Sequence, residues 1–290
     1  MMADVETSRP ERVLDDEHGV RLAVQDWGGT GDPVLLAHAT AFHGLVWRPV
    51  ATRLVAEGFH VWSFDFRSHG DSSRSPSGHA WERFGEDTLA VASHLGLAGD
   101  PSLVAAGHSK GAAAMLLAEA DAPGTFRRVW TFEPVVIPSE VPLDSRPDFP
   151  LAVGARRRRN QWSSLDEALT SYASRPPFDA LDGDALRAYV EHGLRQREDG
   201  AWVLKCAPDD EADMYAHGHA HALWRRLPEI EARVHVVCGE RTDAVTPKLG
   251  QRIVDRLPEA TLEVMPGVGH FGPVEDPAAA SASILGFARS

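Results

Sequence analysis

Apolar positions along the chain fall into short continuous runs separated by stretches of helical spacing. Residues from 13 onward read as a short strand, a turn at His18 and Gly19 follows, and Leu22, Val24 and Trp27 mark the second strand of a hairpin. The run Pro33-Val34-Leu35-Leu36-Ala37 has no polar face, as expected of a strand covered on both sides of a parallel sheet. Val50, Leu54 and Val55 then recur at helical intervals over 47–57, and Gly58 stands at the C-cap position. A strand over 60–66, a helix over 82–95 on Phe84, Leu89, Val91 and Leu95, a strand over 102–106 and a helix over 109–120 continue the alternation. Strands alternating with helices predict an α/β fold built on a parallel sheet with right-handed crossovers.

After a strand over 126–132 the pattern is interrupted. Residues 138–228 hold helix-like segments and no convincing strand run, so they read as a helical cap or lid. Strands at 234–238 and 261–265, with helices at 247–257 and after Pro277, then resume the alternation. The expected organisation is therefore a core domain of 1–137 and 229–290 with a cap of 138–228. No repeat at a solenoid period is present.

Composition sets limits on function. The 290 residues are 43% hydrophobic and 24% charged, as in ordinary globular proteins. With 42 acidic and 29 basic side chains, the formal charge of −13 argues against a nucleic-acid partner. No apolar run reaches the roughly 18 to 20 residues that a membrane-spanning helix needs. The charged start, MMADVETSRPERVLDDEHGV, lacks the apolar segment of a signal peptide, so a cytoplasmic protein is expected. Cys206 and Cys238 are too few for a disulfide framework and read as reduced thiols.

The strongest chemical signal is Gly107-His108-Ser109-Lys110-Gly111, lying between a buried strand and a helix. A nucleophile on so sharp a turn needs glycines two positions either side, and the helix start aims backbone N–H groups at the developing anion. Ser109 is the expected nucleophile. A serine hydroxyl needs an imidazole to take its proton and a carboxylate to orient that imidazole. Of 14 histidines, His270 lies in a loop rich in glycine and proline, 266–273, directly after the last strand, and is the expected base. Asp243, just past the strand ending at Cys238, is the favoured acid because the chain order Ser, Asp, His then fits this constellation. Glu133, at the end of the preceding strand, competes for the role.

Four segments together give the chain its resemblance to the α/β-hydrolase superfamily: the turn at 107–111, Asp65-Phe66-Arg67-Ser68-His69-Gly70-Asp71-Ser72, the acid loop around Asp243, and the stretch from Gly269-His270-Phe271 to Glu275-Asp276-Pro277. The resemblance covers essentially the whole chain. It implies an eight-stranded, mostly parallel sheet flanked by helices, a mobile cap between the sixth and seventh strands, and no cofactor. It also implies an oxyanion hole from the backbone N–H of Lys110 and from one on the loop His38-Ala39-Thr40-Ala41-Phe42-His43-Gly44, by position Thr40, with Ala41 as the substitute. Ser109 in place of an aspartate argues against dehalogenase and epoxide-hydrolase chemistry.

Phe42, His43 and Trp47 are the expected substrate-binding residues, with Trp162, Trp202, Tyr215 and Trp224 as further aromatic candidates that mostly serve packing. His217, His219 and His221 lack the acidic partner of a metal motif, so no metal is expected. The run Arg156 to Arg159 reads as a solvated face or as a collector of anionic substrate. The expected activity is hydrolysis of a carboxylic ester, lactone or thioester of a small or medium-sized molecule. Carbon–carbon hydrolysis of a diketone and a non-catalytic ligand-binding homologue are the alternatives. The expected partner is a small molecule, and a homodimer is compatible with the sequence.

Overall fold

In the computed structural model, residues 11–15, 19–142 and 146–290 are described, with backbone alone for 11–15. Eight strands build the main sheet: β1 (Glu11–Asp15), β2 (Val20–Asp26), β3 (Pro33–Ala37), β4 (His60–Asp65), β5 (Val104–His108), β6 (Arg128–Phe132), β10 (Arg233–Gly239) and β11 (Ala260–Met265); β7 (Gln161–Trp162), β8 (Leu194–Gln196) and β9 (Trp202–Leu204) lie between β6 and β10 along the chain, outside this sheet. Their order is β1-β2-β4-β3-β5-β6-β10-β11. The expected hairpin forms, with β1 antiparallel to β2 and β2 antiparallel to β4; every other neighbour pair is parallel. His18 of the expected turn lies outside the described residues.

The apolar runs go where their lack of a polar face sends them. All five residues of β3 and of β5 are buried. Alternation along β3 divides the core into two layers, Leu35 and Ala37 facing one and Val34 and Leu36 the other. One layer packs α2 (Glu82–His94) and α3 (Lys110–Asp121); the other packs α1 (Arg48–Ala56) and α11 (Pro277–Ala288). Helix α3 is buried on every side except at Asp121, which its Ala-rich composition permits.

Between β6 and β10 the chain forms α4 (Pro150–Arg157), α5 (Leu165–Ala173), α6 (Gly183–Gly193), α7 (Pro208–His217) and α8 (Leu223–Arg226). It also forms three short strands, β7 (Gln161–Trp162), β8 (Leu194–Gln196) and β9 (Trp202–Leu204), in a separate antiparallel sheet of order β7-β9-β8. The residue pattern over 138–228 predicts helices alone, because strands of two or three residues are too short to show alternation. The insertion is tied to the loop after β4 by Arg74 to Asp210 at 2.8 Å and His79 to Asp213 at 2.8 Å, and Lys205 reaches Asp71 at 2.7 Å. After it come α9 (Pro247–Val254), α10 (Gly272–Glu275) and α11, the last starting from an Asp276 side chain that caps Ala279 N–H. Among the described residues no helix is long and apolar enough to cross a membrane.

Candidate active site

The C-terminal ends of β5, β6 and β11 bring three residues together from far apart in the chain. At the first, Ser109 has φ +54, and its side chain caps no helix N–H. The turn is possible because of its glycines: a Cβ on Gly107 would lie 2.6 Å from the Ala112 nitrogen, and one on Gly111 would lie 2.4 Å from the Ala37 carbonyl oxygen. Helix α3 thus presses against β3, and the strained turn pushes Ser109 toward the loop after β11. There its hydroxyl donates to His270 Nε2 at 3.1 Å.

The other ring nitrogen, His270 Nδ1, donates to Glu133 Oε2 at 2.6 Å. This corrects the expected acid. Asp243 is exposed, and Glu133, at the end of β6, is fully buried under the imidazole. Three further donors hold the Glu133 carboxylate: Gly239 N–H at 2.9 Å, the Thr242 hydroxyl at 2.8 Å and Val245 N–H at 3.4 Å. A buried carboxylate is costly unless so surrounded, and this one is. Asp243 does not serve as cap to α9 either, since the Thr246 side chain accepts from Leu249 N–H. The order argument could not separate the two acids, because Glu133 also lies between Ser109 and His270.

The His270 loop is held from two sides. His108, whose pKa burial lowers well below the usual value, donates from Nε2 to the His270 carbonyl at 2.8 Å. Glu275 accepts from Gly269 N–H at 2.8 Å and Phe271 N–H at 3.1 Å, the N–H groups on either side of His270. Neither role was visible in the sequence, although Glu275 belonged to one of the segments carrying the resemblance.

Across from His270, the loop after β3 is fixed by two buried imidazoles. His38 donates from Nδ1 to the Ala39 carbonyl at 2.7 Å and accepts from Phe66 N–H at 3.1 Å. His69 donates from Nδ1 to the Arg67 carbonyl at 2.8 Å and accepts from Ala41 N–H at 3.2 Å. Each ring both gives and accepts only when neutral, and burial holds both pKa values well below the ordinary one. Asp65 accepts from Gly44 N–H at 2.6 Å and Asp71 N–H at 2.8 Å, and its pKa is raised to about 6 by burial. Arg67 is anchored in turn by Asp87 at 2.6 Å, with both side chains fully buried. The Asp65-to-Ser72 segment therefore shapes the loop after β3. Ala41, at φ +66, has its N–H engaged by His69, whereas among the described residues no acceptor is bonded to the N–H of Thr40 or of Lys110.

The expected substrate residues divide. Phe42 and His43 line a narrow crevice of about 10 Å³, and the Phe42 ring packs on Phe271 with centroids 5.5 Å apart. Trp47 does not reach this cleft: it is 1% exposed and packs in the apolar layer around α1, where burying so large a ring is most favourable. Trp162 is likewise buried in that layer, and Trp224 packs in the other. The Lys110 side chain, also fully buried, lies over the Phe66 and Phe84 rings at 4.0 and 4.2 Å from their centroids. The three clustered histidines diverge: His217 bonds Asp213, His219 meets Phe149 edge-on, and His221 stacks on Trp81. Among the described residues no group of three or more His, Cys, Asp or Glu side chains is placed to hold a metal ion.

Comparison with known proteins agrees with this architecture. Residues 34–283 match the model of the alpha/beta hydrolase family, and the chain belongs to that family. It is 27% identical over 266 residues, 87% of the chain and 89% of the relative, to the non-heme chloroperoxidase CPO-A1 of Kitasatospora aureofaciens. It is 34% identical to the bifunctional esterase/perhydrolase DCH of Acinetobacter calcoaceticus over 98 residues, which span 32% of this chain and 33% of that one. Among solved structures, E-2-(acetamidomethylene)succinate hydrolase superposes with a TM-score of 0.84 at 21% identity, covering 98% of this chain and all of the other.

Proposed function

We propose that this protein is a serine hydrolase that cleaves a carboxylic ester through an acyl-enzyme. The observation that carries the reading is the unbroken chain from Ser109 Oγ through His270 to Glu133, with links of 3.1 and 2.6 Å. In this mechanism His270 takes the Ser109 proton as the hydroxyl attacks the ester carbonyl, and Glu133 steadies the imidazolium that forms. The uncommitted N–H groups of Thr40 and Lys110 receive the tetrahedral oxyanion, Lys110 with the help of the α3 dipole. His270 then returns the proton to the departing alcohol. Water, deprotonated by the same imidazole, releases the acid and restores Ser109. Residues 138–228 serve as the cap over this site, contributing Phe178 and Tyr189 around Phe42.

A second reading is favoured by the similarity to a chloroperoxidase and an esterase/perhydrolase. In it hydrogen peroxide replaces water at the acyl-enzyme, and the product is a peracid together with the free serine.

The test is turnover of p-nitrophenyl esters from acetate to long acyl chains, by the wild type and by Ser109→Ala, with and without hydrogen peroxide. Turnover that falls at least about a thousandfold in the variant is expected for a serine nucleophile. Peracid formation in the peroxide arm would select the second reading. Equal rates in the two proteins, or no reaction of Ser109 with a fluorophosphonate, would overturn the serine mechanism.

A further inference from the structure

The base of the triad stands on the most pliable backbone of the site. Its loop, 266–273, carries glycines at 267, 269 and 272. Close packing demands the last of them, since a Cβ on Gly272 would lie 2.2 Å from the Phe132 ring. Glycine permits that approach and, for the same reason, leaves the main chain free to turn. The bond from Glu133 reaches only Nδ1 of His270, so it steadies the ring and not the backbone that carries the ring. Some other group has to hold the main chain.

Two side chains do so, from opposite sides. His108 and Ser109 are adjacent at the end of β5, and both bond residue 270: the Ser109 hydroxyl donates to the ring at 3.1 Å, and His108 Nε2 donates to the carbonyl at 2.8 Å. Nucleophile and base are thus joined twice, once through the reacting side chains and once through the main chain. The His108 ring is itself immobilised, 3% exposed and edge-on to Phe132 and Phe271 with centroids 5.7 and 6.0 Å away. From the other side Glu275 accepts from Gly269 N–H at 2.8 Å and from Phe271 N–H at 3.1 Å. The chemistry of each partner fits its place. Burial, and after it the neighbouring His270, lowers the His108 pKa well below the usual value, so the donor beside the base is uncharged. A lysine or arginine there would oppose the imidazolium that His270 becomes.

We infer that His108 and Glu275 are positioning residues that clamp the main chain of residue 270 and so keep its Nε2 aimed at the reacting oxygens. The inference rests on the serine-hydrolase reading and adds to it the pair that holds the base. Neither group touches the reacting atoms. In acylation His270 takes a proton from Ser109 and gives it to the leaving alcohol; in deacylation it takes one from water and returns it to Ser109. One nitrogen must therefore meet several oxygens in turn, and a misplacement of about 1 Å costs on the order of a hundredfold.

The test is steady-state hydrolysis of p-nitrophenyl acetate by His108→Leu, His108→Gln and Glu275→Ala in the full chain. His108→Leu is expected to lower kcat by about tenfold to a hundredfold with KM little changed, because the base is displaced and no group that binds substrate is removed. His108→Gln, whose side-chain amide offers a donor of similar reach, should recover most of that loss. Glu275→Ala should lower kcat by about tenfold, again sparing KM, and it decides if His108→Leu does not fold. Unchanged kcat in the Leu and Ala variants, or a loss that His108→Gln does not restore, overturns the inference. Proton NMR separates the clamp from the hydrolase reading. The Nδ1 proton that His270 shares with Glu133 is expected to give a far-downfield line, absent in His270→Ala; it should persist in His108→Gln and broaden by exchange with water in His108→Leu and Glu275→Ala. Such broadening in a protein that hydrolyses no ester would sink the hydrolase reading and keep the clamp. Ester turnover with the line and kcat unmoved in those two variants would sink the clamp alone.

Discussion

The residue that most changes the picture is Glu133. It sits at φ +47 immediately after β6, and its backbone N–H donates to the Val237 carbonyl at 2.8 Å, so its position is set by the junction of β6 and β10. Its side chain accepts from Gly239 and Val245 N–H and from Thr242, all on the segment that also carries Asp243. The acid loop is therefore real, but it supports the carboxylate rather than supplying it. Sequence spacing cannot show this, because both acids follow strands and both precede His270. Glu133→Gln should lower kcat by about a thousandfold or more, since the amide cannot stabilise the imidazolium and favours the wrong tautomer. Asp243→Asn should stay within about twofold of wild type. Steady-state kinetics on the best ester measures both; a larger loss in the Asp243 variant would reverse the assignment.

At the scale of elements, the contact between β5, α3 and β3 is legible because it is local: a buried strand, a five-residue turn and an Ala-rich helix follow one another directly. What the turn requires is sharper than a preference for small residues. A Cβ on Gly111 would approach the Ala37 and His38 carbonyl oxygens to 2.4 and 2.7 Å, and those atoms are backbone at the end of β3 that cannot rotate away. Gly111→Ala should therefore destabilise by about 2 to 4 kcal/mol through forced displacement of α3. The control is Gly154→Ala in α4, where an added Cβ meets nothing within 4 Å. That change should be neutral or stabilise by up to about 1 kcal/mol, from helix propensity. Urea unfolding of the two variants distinguishes these outcomes, and equal midpoints would refute the packing argument. The strands β7, β8 and β9 lie at the opposite extreme, since they exist only through pairing across the insertion and two or three residues carry no readable period.

For the whole molecule, the buried imidazoles couple folding to pH. His38, His69 and His108 have pKa values well below 6.5, and His43 is lowered to about 3, in each case chiefly by burial. Below about pH 6.5 the unfolded chain takes protons that these rings refuse, so stability falls as pH falls, by up to about 1.4 kcal/mol per ring per pH unit. Asp65, raised to about 6, acts oppositely between about pH 6 and 4, because there the folded state binds the extra proton, and Glu119 is raised in the same sense. The histidines outnumber them, so the urea midpoint should drop by several kcal/mol equivalent between pH 7 and 5; a flat profile would show that these rings do protonate in the fold. The sequence by itself determined the alternation of strand and helix, the turn at Ser109 and the place of His270, because hydrophobic period, glycine demand and loop position are properties of neighbouring residues. Only the tertiary structure decided that Glu133 meets His270, that His69 engages the Ala41 N–H, that Trp47 is core, and that Arg158 alone of its run turns inward. Each of those depends on which strand ends and loops are brought side by side, and contacts between residues 28 positions apart, as for His69 and Ala41, or 137 apart, as for Glu133 and His270, leave no periodic trace in the chain.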